Sequence, residues 1–177
     1  MSDTQNIIFV ITTILILLIT WKFSIKAKRP HGIPRFVAFE SILLIVLLNI
    51  HIWFENPLAW YQIVSWIFLV VSIPLAVQGA MLLRAVGKPR GDFENTTKLV
   101  EVGLYKYIRH PLYSSLFFLG AGAYFKNITM ETSFLVVINS IALYITARIE
   151  EKEMITKFND EYIRYMKKTK MFVPYIF

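Results

Sequence analysis

Two stretches of this 177-residue chain hold the side chains best suited to chemistry. The first, GLYKYIRHPLY at residues 103 to 113, gathers Tyr105, Tyr107, Arg109, His110 and Tyr113 around a glycine and a proline. Gly103 permits a turn that a Cβ would obstruct, and Pro111 forces His110 out of the α region while itself suiting the first turn of a helix. The unpaired N–H groups of that helix start make a local anion site, with Arg109 and His110 beside it, fit for a carboxylate or a phosphate. The tyrosine faces can stack on a purine or shelter a cationic sulfonium. The bland alternative for this cluster is an interfacial aromatic belt with a headgroup-binding arginine. The second stretch, ARIEEKEMITKFNDEYIRYMKK at residues 147 to 168, reads as one amphipathic helix. At 100° per residue Met154, Ile155, Phe158, Tyr162 and Tyr165 share a stripe, with Glu151 in its middle and Glu150 and Arg148 on its flanks. A carboxylate facing an apolar partner is costly unless paired or liganded, so Glu151 is a site candidate. A salt bridge to a basic residue such as Arg109 is its plainest structural explanation, and one compatible with a site.

The elements that must position these clusters are apolar. The chain is 56% hydrophobic with a mean hydropathy of +0.53, far above an ordinary soluble fold, and is expected to be an all-α integral membrane protein. It has no cysteine, which excludes disulfides, thiolate metal sites and cysteine nucleophiles. MSDTQN lacks a basic signal-peptide region, so the apolar run after it reads as a retained helix. Five apolar segments follow one another: Thr4 to Trp21, Phe36 to Phe54, Pro57 to Leu83 with a kink expected at Pro74, His110 to Phe125, and Thr132 to Ala147. The last two have 16 residues each and cover only about 24 Å, so a short helical hairpin over 110–147 is expected.

Lysine and arginine settle the expected orientation. Residues 22–35, 84–109 and the tail beyond Ala147 hold all of them except Lys126. Five transmembrane helices then place the N-terminus outside, and the C-terminus, the C-terminal amphipathic helix and both polar clusters on the cytoplasmic side, where they are expected to form one site. This topology accounts for the net charge of +7, so no nucleic-acid partner is implied. Residues 1–177 read as a single domain, with three N-terminal helices in 1–83 and the site-bearing part in 84–177. Of the remaining polar residues, His31 and His51 are assigned structural or interfacial places. Glu40 is expected to snorkel, and Asn139 and Gln78 to join helices by hydrogen bonds. The sequon Asn127-Ile128-Thr129 is assigned no role.

LVEVGLYKYIRHPLY, an apolar hairpin, the Glu-Glu pair, FNDEYIRYMKK and Pro174 together resemble the isoprenylcysteine carboxyl methyltransferase family and its relatives, the phospholipid N-methyltransferases. The likeness covers roughly Arg84 to Pro174. It implies S-adenosylmethionine bound at the cytoplasmic side, S-adenosylhomocysteine as product, and no metal. By position the cofactor would meet Thr97, Lys98, Leu99, Val100, Gly103, Tyr105, His110, Pro111, Leu112, Tyr113, Glu150 and Glu151. Relatives carry an arginine four residues before the glutamate pair, thought to hold the substrate carboxylate. Here that position is Thr146, and the role could pass to Arg148, Arg84 or Arg109. The family's Phe-Gly is Phe158-Asn159 here, read as a minor change because asparagine tolerates similar backbone angles.

Methyl transfer from a sulfonium is an in-line displacement that needs alignment and an anionic clamp more than a strong base. A carboxylate nucleophile is already ionised at pH 7. The expected activity is therefore S-adenosylmethionine-dependent carboxyl O-methylation of a lipidated substrate, such as a prenylcysteine-type terminus, entering from the bilayer, with Arg109, Arg148 and Glu151 nearest the chemistry. The alternatives are methylation of a phospholipid or other amphiphile, an NADPH-dependent lipid double-bond reductase built on a similar helical arrangement, and a non-catalytic membrane subunit.

Overall fold

A computed structural model describes residues 2–25, 29–90 and 95–177. Among the described residues there are six α-helices: α1 (Asp3–Thr20), α2 (Gly32–Asn49), α3 (Trp60–Ala85), α4 (Pro111–Tyr124), α5 (Met130–Phe158) and α6 (Asp160–Lys168). Among the described residues there is no β-strand, only an isolated parallel bridge between Ile108 and Lys170. Lys26 and Lys28 of the basic loop after α1 lie outside the described residues.

Among the described residues four helices, α1, α2 with its 3₁₀ extension to Ile52, α3 and α5, are long and apolar enough to cross a membrane. The fifth expected segment, 110–125, is shorter than these and would cross only where the bilayer thins around it. α4 has 14 residues and rises about 21 Å, well below a hydrocarbon core of about 30 Å. α5 departs in the other direction. Its 29 residues contain no glycine or proline, so the helix runs on from its apolar half through the glutamate pair, about 44 Å in all. The expected amphipathic helix is consequently two pieces, the end of α5 and the separate α6, broken at Asn159. Asn159 has φ 47° and ψ −130°, outside the left-handed basin that asparagine tolerates and in a region that suits glycine, so the exchange for glycine is a strained one rather than a minor one.

The chain divides into two compact units, Met1–Val70 with Phe117–Thr146, and Val71–Leu116 with Ala147–Phe177. In the first, helices are joined by polar groups rather than by apolar contact alone, as expected where the surroundings are as greasy as the side chains. Asn139 donates to the Ala38 carbonyl at 3.0 Å, Asn49 to Ala123 at 2.9 Å and Ser65 to Gly122 at 2.7 Å. Gly122 lets α4 approach α3: a Cβ there would lie 2.8 Å from Leu69 Cγ. Glu40 does not snorkel. Its Oε2 accepts a hydrogen bond from Thr13 of α1 at 3.0 Å and its Oε1 is buried. At the start of α1, Ser2 and Gln5 form a reciprocal cap, and Gln5 Nε2 also reaches the Leu47 carbonyl of α2.

The second unit is organised by tyrosines. Tyr165 donates to the Tyr105 carbonyl at 2.7 Å, and Tyr105 in turn donates to the Gly79 carbonyl of α3 at 3.3 Å. Burial is the main cause that pushes the phenols of Tyr105, Tyr162 and Tyr165 well above their ordinary range, so all three stay protonated donors at any physiological pH. The stripe read from the sequence is real at its far end, where Tyr162 and Tyr165 are buried.

Candidate active site

The local chain path at residues 103–114 follows from a few residues. Gly103 opens a 3₁₀ turn with φ +59°, and a Cβ on it would strike Leu82 Cδ1 at 2.6 Å. Residues 107–110 then run beside residues 170–171, with a single bridge at Ile108. Lys170 N donates to the Tyr107 carbonyl, Arg109 N to Lys170 and His110 N to Met171, at 3.0, 2.8 and 3.2 Å. Pro111 starts α4 as the sequence requires, and Ser114 bonds back to the His110 carbonyl through both its N–H and its hydroxyl. Pro111 and Leu112 rest on Gly79 of α3, where an added Cβ would meet both side chains at 3.3 Å.

This path and α5 bring Arg109, His110, Tyr113, Arg148, Glu150 and Glu151 into one cluster. Arg109 Nε donates to Glu151 Oε1 at 2.6 Å, the salt bridge the sequence allowed. Its Nη1 donates to the carbonyls of Thr169, at 2.6 Å, and Met166, at 3.3 Å, so the guanidinium ties α5 to the end of α6. Arg148 Nη1 reaches Glu151 Oε2 at 3.3 Å while its side chain stays half exposed. The His110 ring lies between the two carboxylates, with Nδ1 3.7 Å from Glu150 Oε2 and Nε2 3.6 Å from Glu151 Oε1. Tyr113 donates to Glu150 and stacks against His110, with ring centroids 5.7 Å apart. Phe172 meets the ring edge-on, with centroids 6.2 Å apart.

Other expected contact residues are placed differently. Thr97 and Lys98 both spend their backbone N–H groups on the Gly87 carbonyl, at 2.8 and 3.2 Å, and the Thr97 hydroxyl bonds Lys88. Only their carbonyls and side chains are left to meet a ligand. Val100 is buried and Leu99 half-buried. Thr146 is fully buried and donates to the Ala142 carbonyl, so it anchors no substrate charge. The residues missed from sequence are the carbonyls of Met166, Thr169 and Met171 and the ring of Phe172. Their only signal was an extended, β-favouring Phe172-Val173 pair ahead of Pro174.

His110 Nε2 is buried and has no hydrogen-bond partner among the described residues. A native polar atom left so is ordinarily completed by something bound. A partly exposed carboxylate at Glu150, aromatic rings and an incomplete imidazole fit a cofactor carrying an ammonium, a sulfonium and a purine.

Membrane-length helices, with an arginine–histidine–carboxylate cluster where α4 begins and α5 nears its end, are the features of a membrane protein with a candidate polar site. Residues 60–161 match the family model described as phospholipid methyltransferase, and the chain belongs to that family, the relatives of the isoprenylcysteine carboxyl methyltransferases. It is also similar to a methanethiol S-methyltransferase of Crocosphaera subtropica, 27% identical over 164 residues, covering 84% of this chain. The chain spans 63% of that relative's length.

Proposed function

We propose that this chain is an S-adenosylmethionine-dependent membrane methyltransferase, and that its acceptor is a small thiol. The observation that carries the reading is the buried His110 imidazole, incomplete at Nε2 and flanked by Glu150 and Glu151. Glu150, Tyr113 and His110 would hold the cofactor, with Gly103, Tyr105, Pro111 and Leu112 shaping the wall, and Thr97, Lys98, Leu99 and Val100 contributing at most carbonyls and side chains. When bound, S-adenosylmethionine supplies an electrophilic methyl group. A thiol, unlike a carboxylate, must lose its proton to attack at neutral pH. His110 is the base available for that proton, with the Glu150 and Glu151 carboxylates 3.7 and 3.6 Å from its two ring nitrogens. Arg109 acts through Glu151 as a positioning residue, since its contacts are to Glu151 and two carbonyls.

A second reading keeps the lipidated carboxylate as acceptor. It is favoured by Arg148, half exposed and held to Glu151 by one 3.3 Å contact, which leaves most of its guanidinium able to take a substrate anion. Charge asymmetry supports a cytoplasmic site with the N-terminus outside.

Isothermal titration of the detergent-purified protein with S-adenosylhomocysteine, run beside NADPH, tests the cofactor. Binding of the first alone, weakened at least tenfold by Tyr113→Phe, is expected; binding of NADPH alone would overturn the reading. Methyl transfer to methanethiol, phosphatidylethanolamine and a farnesylcysteine analogue then separates the acceptors. Turnover of the thiol lost in His110→Ala supports the first reading, whereas turnover of the carboxylate lost in Arg148→Ala supports the second.

A further inference from the structure

The first compact unit holds a second charged group whose burial the chemistry above leaves unused. Lys126 lies between α4 and α5 with a relative exposure of 1%. Its Nζ sits 3.7 Å from the centroid of the Trp66 ring and 5.3 Å from that of Trp53, and donates to Gln62 Oε1 at 2.9 Å. Gln62 returns a hydrogen bond to the Lys126 carbonyl at 3.2 Å. Among the described residues no carboxylate lies within ion-pair distance of Nζ. Burial lowers its pKa, and an ammonium removed from water without an anion is costly. Two aromatic faces and the carbonyl end of α4 offset part of that cost. Gln62 Oε1 takes one of the three ammonium N–H donors, and the ring faces supply no lone-pair acceptor for the others.

Lys126 and Gln62 also line a cleft of about 390 Å³ with Glu55, Asn56, Tyr61 and Asn127. The walls are rich in hydrogen-bonding groups, and the cleft is large enough for a carboxylate or phosphate group with its first substituent. We propose that this cleft is an anion-binding site in which Lys126 is the charged anchor and Gln62 and Tyr61 are the neutral donors, accepting a phosphate or carboxylate group. It stands independently of the methyltransferase reading, since none of its residues belongs to the site at Arg109, His110 and the glutamate pair. Glu55, exposed on the rim, opposes an anion and sets the affinity below what Lys126 alone would give.

The group can arrive as a soluble anion or as a lipid headgroup, because the cleft lies at the ends of α2 and α3 among Trp53, Trp60 and Trp66, an arrangement typical of the membrane–water boundary. The test titrates delipidated protein in a neutral detergent with inorganic phosphate at constant ionic strength, and separately with dioctanoyl-phosphatidylglycerol against dioctanoyl-phosphatidylcholine, following tryptophan fluorescence and native mass. Saturable binding of phosphate identifies a soluble anion; saturation by the anionic lipid alone identifies a headgroup. In either case Lys126→Met should abolish it and Glu55→Gln should tighten it by about threefold, the scale of one exposed charge. Should Lys126→Met fail to fold, Glu55→Gln decides alone. No saturable binding to either probe, or binding that Glu55→Gln leaves unchanged, overturns the proposal.

Discussion

The buried pair Arg109–Glu151 invites a double-mutant cycle, because its two members have unequal alternatives. Glu151→Leu leaves the Arg109 guanidinium, 10% exposed, with only the Thr169 and Met166 carbonyls as acceptors. Removing one partner of a buried ion pair costs about 3–5 kcal/mol, and the two surviving carbonyl bonds place this case at about 3 kcal/mol. Arg109→Met leaves Glu151, 2% exposed, with a half-exposed Arg148 and an imidazole 3.6 Å away, again about 3 kcal/mol. The double variant removes both charges and should cost no more than either single change, giving a coupling of about 3 kcal/mol. Unfolding in dodecylmaltoside micelles with rising sodium dodecyl sulfate, followed by far-UV circular dichroism, measures each corner of the cycle. Single effects that add to within about 0.5 kcal/mol would refute the pairing. The same variants separate position from chemistry: the double variant should remain folded yet bind S-adenosylhomocysteine poorly, since His110 loses the carboxylate beside its Nε2.

Four further outcomes are expected. Asn159→Gly should raise stability by about 1 kcal/mol in the same unfolding assay, because glycine adopts φ 47°, ψ −130° without strain; a loss would show that the Asn159 side chain holds an unrecognised contact. Gly103→Ala should cost about 2 kcal/mol, combining a positive φ with a Cβ 2.6 Å from Leu82, and trimming Leu82 to alanine in the same chain should recover only the steric share of that loss in the unfolding midpoint. Gly122→Leu should lower the unfolding midpoint of the first unit by forcing α4 away from Leu69, with full stability in that variant counting against the observed helix approach. Because the chain has no cysteine, single cysteines at Leu58 and Lys152 can be labelled cleanly in intact cells; Leu58→Cys should react with a membrane-impermeant maleimide and Lys152→Cys only after lysis, and the reverse pattern would invert the proposed orientation.

Much of this site is legible in the sequence because its logic is local. Pro111 fixes a helix start, Gly103 fixes a turn, and the helical period puts Glu151 on the inward stripe, so Arg109, His110, Tyr113 and the glutamate pair can be singled out without coordinates. What periodicity does not reveal is where a helix stops when no breaker stands in its way. Nothing between Met130 and Phe158 interrupts α5, and the boundary drawn at Ala147 from hydropathy alone has no counterpart in the backbone. The break at Asn159 was signalled only by the family's glycine at that position, because the asparagine standing there does not reveal a φ of 47° and ψ of −130°. The tail from Thr169 to Phe172 was least legible, because it acts through carbonyl groups that every residue possesses. Polar glue such as Asn139 to Ala38 follows the general rule for membrane helices, whereas Glu40 found a partner on α1 that a cost-of-burial estimate alone does not supply.

The bridge between Ile108 and Lys170, with the Arg109 clamp on Met166 and Thr169, joins segments about sixty positions apart along the chain. During synthesis the Arg-His-Pro segment is made well before the residues that complete it, and α5 must be in place before Glu151 can receive Arg109. The candidate site is therefore complete only once residues 166–172 have docked against residues 107–110. A nascent or C-terminally clipped molecule would be an inserted protein without a site, which makes the tail a natural point at which to separate membrane insertion from activity.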